Sequence, residues 1–473
     1  MIDTMVQPAS LGTLPSEIIL HIFEYLSPQS LAQVSSTSHA LRGYSHDDKL
    51  WEKVIHSNTL YQAKPLTPFP SKTWRELYIS HHPFWFLPRH AVWISDSPNV
   101  GGLYLAQYRA REGSLVARTV LARNVSPSLA PWAYDPSTYI HEFQPEVSLW
   151  ESDPDINLTF KEDDFAYKLQ KEVKMDSGRR GYNSSLALCL RMPPEREHHT
   201  MSLWPPATIP SLHRVRNESH TKFTSDAQRP SSLARMSDRA CRIRKWPEWP
   251  AGAQWPQTNI EGLISTWSTL LKETYTPDRH KPWQGIWVGD YAVHGCEFLL
   301  VMHKEGGPDP GRKVSEKPST GSGLPSGRTF TFGDDETGQT GSPLRRSSKA
   351  MLATSGSQDE YFPSGGLEAI KLTGDVNIPR GQCTWFADDI GPNGLVRVAS
   401  DSTFEGARIV KSMGHVANRG FSNDRYIPSQ LIMIDHDSLA QYWEVRRDLG
   451  CNRLIPYTDN LISHSDTSHS IEE

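Results

Sequence analysis

Few stretches of this chain hold residues of a type and spacing that could do chemistry. In WVGDYAVHGCEFLLV, His294 and Glu297 lie three residues apart beside Tyr291 and Asp290. Such a pair can ligate a metal or pass a proton, but side chains on a strand alternate between faces. The two therefore point to opposite sides unless a bulge at Gly295 re-aims one. The other reading is a glycine-flanked turn whose His and Tyr bond the local backbone. His198 and His199 lack the matching second pair of ligands that a closed zinc site needs. The five cysteines, Cys189, Cys241, Cys296, Cys383 and Cys451, are odd in number and form no C-x-x-C. Neither a disulfide framework nor a zinc knuckle is expected from them. There is no G-x-S-x-G elbow and no Walker loop. TGDVNIPRGQ, Thr373 to Gln382, reads as a tight turn between strands, with Gly374 and Asp375 supplying the turn and Pro379 pre-setting the way out. It is either a plain hairpin or a barrel rim at which Asp375 and Asn377 offer hydrogen bonds to a peptide end. The residues thus lead to an expectation of no catalytic group, no metal and no cofactor.

Composition narrows the partners. The 473 residues allow roughly three units at about 150 residues per domain. Lys and Arg number 49 against 54 Asp and Glu, a net charge of −5, so there is no basic excess to attract nucleic acid. Hydrophobic residues make up 37% and mean hydropathy is −0.53, which predicts folded pieces interrupted by segments with too little core to order them. No run of 18 apolar residues and no basic-then-apolar leader is present, so neither membrane insertion nor export is expected and the chain reads as cytoplasmic, nuclear or both.

The first fifty residues are helical in pattern. Ile18, Ile19, Ile22, Phe23 and Leu26 form an apolar stripe after Pro15; Leu31 and Val34, then Ala40, Leu41 and Tyr44, then Leu50, Trp51, Val54 and Ile55 mark three further short helices, the last capped by Asp47 or Asp48. Four such helices are too few to be stable alone. They are either the start of a larger core or a module with apolar surface left for a partner.

After Tyr61 the texture changes. FWFLPRHAVWIS, LYLAQYRA, SLVARTVLA, SLALCLR, QGIWVGDY, CEFLLVMHK, LEAIKLTG, QCTWFADDI, SQLIMIDHD and LAQYWEV are short β-branched or aromatic runs between turn residues, well over ten strands with their neighbours. A closed barrel or a sandwich resolves the edges of so many strands. KEDDFAYKLQKEV, with Phe165, Leu169 and Val173 four apart, predicts an inserted helix. Residues 193–245 read as a Pro-, Arg- and Ser-rich irregular insertion. The Gly/Ser/Pro-rich residues 304–360 read as a disordered loop, in which Ser342, Ser347 and Ser348 resemble kinase sites.

The order Leu14-Pro15, the Ile-Ile-x-x-Ile-Phe stripe, Leu31-x-x-Val34 and Leu50-Trp51 resembles the F-box. The later segments GIWVGDYAVHGCEFLLV, LEAIKLTGDVNIPRGQCTWFADDI and ARIVKSMGHVANRGFSNDRYIPSQLIMIDHDSLAQYWEV resemble the cyclin-D-binding domain found behind an F-box in one group of proteins, and WPPATIPSLHRVRNES is similar to its filamentous-fungal members. The resemblance implies an α+β multidomain chain: a small helical F-box (11–56), a linker with a short helix (57–82), and a large antiparallel β-barrel-like domain. That domain would run through 83–192, 246–303 and 361–445, with a polar tail at 446–473. It implies a substrate receptor of an SCF-type ubiquitin ligase that catalyses nothing itself. Leu14, Pro15, Ile18, Ile19, Ile22 and Leu31 would dock a Skp-family adaptor, and through it cullin and RING subunits. Gly374, Asp375, Asn377, Ile378 and Pro379, with Gly289, Tyr291, His294 and Gly295, would line the barrel cavity that takes a substrate tail, Asp375 favouring an amide or a cation there. A zinc cluster of some members has no counterpart in this sequence. After Trp443 the family expects another apolar strand, where this chain turns polar and aperiodic. Alternatives are a ligase-independent F-box scaffold and a small-molecule-binding barrel or hydrolase.

Overall fold

The computed structural model describes residues 11, 14–59, 64–96, 100–125, 128–159, 169–176, 182–191, 229–247, 263–291, 295–304, 364–444 and 451–456. His198, His199, Phe165, His294, almost all of the 304–360 segment with its serines, and the tail beyond Pro456 lie outside the described residues.

Four short helices open the chain: α1 (Ser16–Phe23), α2 (Pro28–Ser35), α3 (His39–Ser45) and α4 (Asp48–Ser57). Each of the last three begins where a side chain takes an otherwise orphaned amide: Ser27 accepts from Ser30 N at 3.1 Å, Ser38 from Leu41 N at 3.2 Å and Asp47 from Lys49 N at 3.0 Å. Next come α5 (Trp74–His81) and α6 (Phe86–His90). Asp48 does not cap its own helix but accepts from Trp74 N at 2.7 Å, fastening α4 to the start of α5.

The helices do not bury a core by themselves. Ile19, Phe23, Leu31, Leu50, Trp51 and Ile55 join Trp74, Leu77, Tyr78 and Trp85 in one cluster that continues into a sheet through Tyr104, Ala106, Tyr108, Leu115 and Ile156. The polar ends of its rings are satisfied: Trp51 Nε1 donates to Ser45 O at 2.9 Å, Trp85 Nε1 to Tyr78 O at 2.9 Å, and Tyr108 Oη to Phe69 O at 2.6 Å.

That sheet has nine strands. They are β1 (Val92–Ser95), β2 (Gly102–Arg109) and β3 (Ser114–Asn124); then, passing over β4 (Ser128–Pro131) and β5 (Tyr139–Glu142), β6 (Pro145–Leu149), β7 (Ile156–Thr159), β8 (Val173–Met175), β9 (Tyr182–Leu190), β10 (Met236–Pro247) and β11 (Leu263–Ser268). Their order is β6-β3-β2-β1-β11-β10-β9-β8, with β7 also on β3. Two expectations are corrected here. Val173 begins a strand and Leu169 sits in a turn, so the helical spacing does not extend through them. The end of the supposedly irregular 193–245 stretch is β10, an interior strand: Cys241 and Ile243 face the core, while Arg244 on the other face pairs with Glu172 at 3.0 Å.

After α7 (Lys272–Tyr275), the remaining strands make a second sheet: β12 (Gly285–Asp290), β13 (Cys296–Lys304), β14 (Gly366–Lys371), β15 (Cys383–Ala387), β16 (Leu395–Val398), β17 (Arg408–Asn418), β18 (Ser422–Asp435), β19 (Ser438–Trp443) and β20 (Cys451–Pro456). The order β12-β13-β14-β15-β17-β18-β19-β20 returns on itself, because Trp287, Val288 and Gly289 pair with Pro456, Ile455 and Leu454. β16 flanks β17, and β5 and β4 extend the sheet from β20. The tail read as polar and aperiodic thus supplies the strand that completes the ring; Leu454 is its inward anchor.

Alternation divides the ring in two. Trp287, Leu299, Val301, Leu367, Ala369, Trp385, Val410, Leu431 and Leu454 fill the inside, while Ile286, Val288, Phe298, Leu300 and Ile370 face outward onto Val92, Ile94, Leu103 and Leu105 of the nine-stranded sheet. One face of that sheet therefore carries the helices and the other carries the barrel wall. Leu454→Ala is expected to cost about 2–5 kcal/mol, the usual range for a buried leucine truncation. Urea unfolding measures it, and an unchanged midpoint would contradict closure by β20.

Candidate functional site

Two surfaces emerge, one on the helical module and one on the barrel. On α1 the apolar residues form two rows rather than one. Ile19 and Phe23, four apart, point into the shared core, whereas Ile18 and Ile22, also four apart, point out with 47% and 38% of their surface exposed. Leu14, 38% exposed, and Pro15 extend the outer row. Of the six residues expected to dock an adaptor, four lie on this face. Ile19 and Leu31, each 1% exposed, do not; both are spent on the core. Lys53, paired with Glu24 at 2.8 Å, leaves a charged border beside the row.

At the barrel, strand parity carries polar groups inward above the apolar filling. Leu367, Ala369 and Lys371 share the inner face of β14, as Val301, Leu299 and Glu297 do on β13. Lys371 has no exposed side-chain surface; its Nζ lies 2.5 Å from Glu297 and 2.7 Å from Asp375 Oδ2, and 4.4 Å from the Tyr291 ring centroid. Tyr291 Oη is 2.8 Å from Thr384 Oγ1. Gly289 makes room for this layer: a Cβ there would sit 3.2 Å from the Tyr291 ring and 3.4 Å from Leu299 and Leu454.

The turn after β14 is held from several sides. Asp375 Oδ1 accepts from Asn377 N at 2.5 Å and Ile378 N at 2.7 Å. Gly374 N donates to Val100 O at 2.8 Å and Gly420 N to Val376 O at 2.8 Å. Arg380, 1% exposed, donates from Nη2 to Asp96 O at 3.0 Å, so the turn also clamps the barrel to the nine-stranded sheet. Ile378 and Pro379 are buried; Val376 at the tip is 49% exposed. Gly295, at φ +83°, accepts from Tyr291 N at 3.0 Å and closes the neighbouring loop. The structure thus brings Gly289, Tyr291 and the Gly374–Pro379 turn together at one rim.

Asp375 is not the open acid the sequence reading made of it. Its charge is neutralised by Lys371 and by two amides. Burial works to raise it, but the Lys371 charge and hydrogen bond outweigh this and hold it at about 2. Glu297 goes the other way: burial, reinforced by the Asp375 charge and opposed by Lys371, pushes it up to about 8. Two acids therefore share one ammonium, and at neutral pH the proton sits on Glu297. The layer is then electrically neutral, with an ionised Asp375 locked into its turn.

Further donors lie deeper. The Trp385 and Trp443 indole N–H groups are buried and have no acceptor among the described residues. Trp443 crosses Gly414, where a Cβ would collide with its ring, and Gly414 pairs with Trp385. Nearby Ser412 and Ser429 are 2.8 Å apart, and Gln441 donates to Ser429. These hydroxyls bond one another; no histidine in these contacts activates them as nucleophiles. Lys371 and the two tryptophans escaped the sequence reading, although the parity of Leu367, Ala369 and Lys371 already places the ammonium inside.

Comparison with family models finds an F-box-like domain over residues 11–57 and a cyclin D1 binding domain over residues 267–451. The chain carries both. The first match covers α1 to α4; the second begins in β11 and takes in the barrel strands up to the first residue of β20, so most of the nine-stranded sheet lies between the two. No curated protein matches the chain.

Two outcomes are expected. Ile18→Asp leaves the urea midpoint unchanged while Ile19→Ala costs about 2–5 kcal/mol, and equal effects would contradict the two-row division. For Glu297, the folded chain keeps between pH 4.5 and about 8 a proton that the unfolded chain has released. Its stabilising contribution is full below pH 4.5 and fades as pH rises through that window. Glu297→Gln should remove a slope of up to about 1.4 kcal/mol per pH unit from the stability profile; parallel wild-type and variant profiles would contradict the shared proton.

Proposed function

We propose that this chain is the substrate-recognition subunit of a Skp–cullin–F-box ubiquitin ligase. The observation that carries the reading is the Leu14, Ile18 and Ile22 row: apolar side chains on a helix whose opposite row is already buried, within the segment matched as F-box-like. An exposed row of this kind is a helix-face anchor for a partner groove. The partner chemistry is a Skp-type adaptor, through which cullin and RING subunits would be reached.

The barrel is the substrate end. Its matched domain, the rim built by Gly289, Tyr291 and the Gly374–Pro379 turn, and two indole donors with no acceptor among the described residues support capture of a protein tail rich in carbonyl acceptors. Val376 offers the exposed apolar contact at that rim. The chain performs no bond chemistry in this reading. It holds a substrate lysine near ubiquitin carried by other subunits, and proximity alone raises the effective concentration of the reactants.

The test is affinity capture from host lysate of the full chain, of Ile18→Asp/Ile22→Asp and of Val376→Glu. Wild type should retain the adaptor and cullin; the double variant should lose both at least tenfold while melting normally. Val376→Glu should keep them and lose a subset of other captured proteins. Absence of adaptor from the wild-type capture would overturn the ligase reading.

A further inference from the structure

A cavity of about 600 Å³ opens where the helical module meets the sheet-bearing part of the chain. Its walls are Leu31 and Ala32 from α2, Trp51 from α4, and Tyr78 and Ile79 from α5, with Leu169 and Leu233 on the far side. The volume lies within the range of small-molecule sites, and a folded partner would need roughly 800 Å² of its own surface to bind stably. Rings and aliphatic side chains dominate the walls, so the guest has an apolar body.

The charges are one-sided. Arg75, His46 and His82 line the cavity, and among the described residues no Asp or Glu does. The Arg75 guanidinium lies 5.9 Å from the Trp51 ring centroid, and its Nε is buried without a hydrogen-bond partner among the described residues. Two described carboxylates on neighbouring segments are already engaged. Asp48 accepts from the amides of Trp74 and Arg75, and Glu172 is paired with Arg244 at 3.0 Å and Arg229 at 3.7 Å. Burial, helped by the charges of Arg75 and Arg42, pushes His46 below its ordinary value. An arginine fork beside a flat aromatic wall suits a planar organic anion.

We propose that this cavity binds a small amphipathic anion, an aromatic carboxylate or sulfonate, with its ring system against Trp51 and Tyr78 and its charge on Arg75. A guest there touches α2 and α4 on one side and α5 on the other, so it bears directly on how the helical module is seated. The inference does not depend on the ligase reading: the cavity is separate from both the Ile18 row and the barrel rim.

The probe is 1-anilinonaphthalene-8-sulfonate, followed by fluorescence on the full chain, with the uncharged N-phenyl-1-naphthylamine as its neutral counterpart. Ile18→Asp/Ile22→Asp serves as the background, removing the exposed row as an alternative site. The sulfonate is expected to bind with a saturable isotherm. Arg75→Leu should weaken it about tenfold and leave the neutral probe unchanged, Arg75→Lys should restore most of the affinity, and Ala32→Trp, which fills the cavity from an exposed helix position, should abolish both. Melting curves confirm that each variant is folded. Equal binding of the two probes, insensitivity to Arg75→Leu, or unchanged binding in Ala32→Trp would each overturn the proposal.

Discussion

The aromatic core around Tyr78 and Trp85 is the constraint on which the rest rests. Tyr78 and Trp85 stack at 6.2 Å with ring planes 4° apart, and Trp51 from α4 packs on Tyr78 at 5.2 Å. Four helices of seven to ten residues cannot exclude water from one another. They are stable because this core continues into the nine-stranded sheet, whose opposite face packs on the barrel wall. Burying one row of α1 in that core is also what leaves its other row exposed. The exposed row of α1 and the barrel rim are thereby carried by one continuous packing, which suits the proposed role of presenting a bound protein at a fixed place.

At the barrel, a single ammonium group organises the rim. Lys371 draws Glu297 from β13 and Asp375 from the following turn to within hydrogen-bonding distance. A buried ion pair of this kind, Lys371 with Asp375 beside the protonated Glu297, contributes little net stability, because desolvation offsets attraction, but removing either charged partner leaves an uncompensated charge. The function of the trio is therefore register: it fixes a turn whose amides, carbonyls and Arg380 also reach the neighbouring sheet. What the rim offers a guest is shape, one exposed valine and neutral hydrogen-bonding groups rather than a free acid.

The helices were legible in the sequence because each carries its own signals: Ser27, Ser38 and Asp47 as caps, and apolar residues three and four apart. The strands were legible wherever β-branched runs alternate. What could not be read was set by distant partners. Ile18 and Ile19 are chemically alike, and only the helices packed against α1 decide which is buried. The arginines of β10 read as an irregular insertion because nothing local shows Glu172 waiting opposite Arg244. β20 looked polar because its Leu454 is an inward anchor only once the strand pairs with β12 and β19, which are distant in sequence or reached through a polar link. Asp375 looked like a site for a cation because its own cation, Lys371, is counted as a surface residue until its strand parity is followed.

The measurement that bears most directly on this account is titration calorimetry of the purified full chain with a purified Skp-family adaptor from the same source. Docking through the Leu14, Ile18 and Ile22 row predicts a single 1:1 transition. It also predicts a negative heat-capacity change from apolar burial, lost in Ile18→Asp/Ile22→Asp. No binding by the wild-type chain, or binding that survives the double substitution, would contradict it.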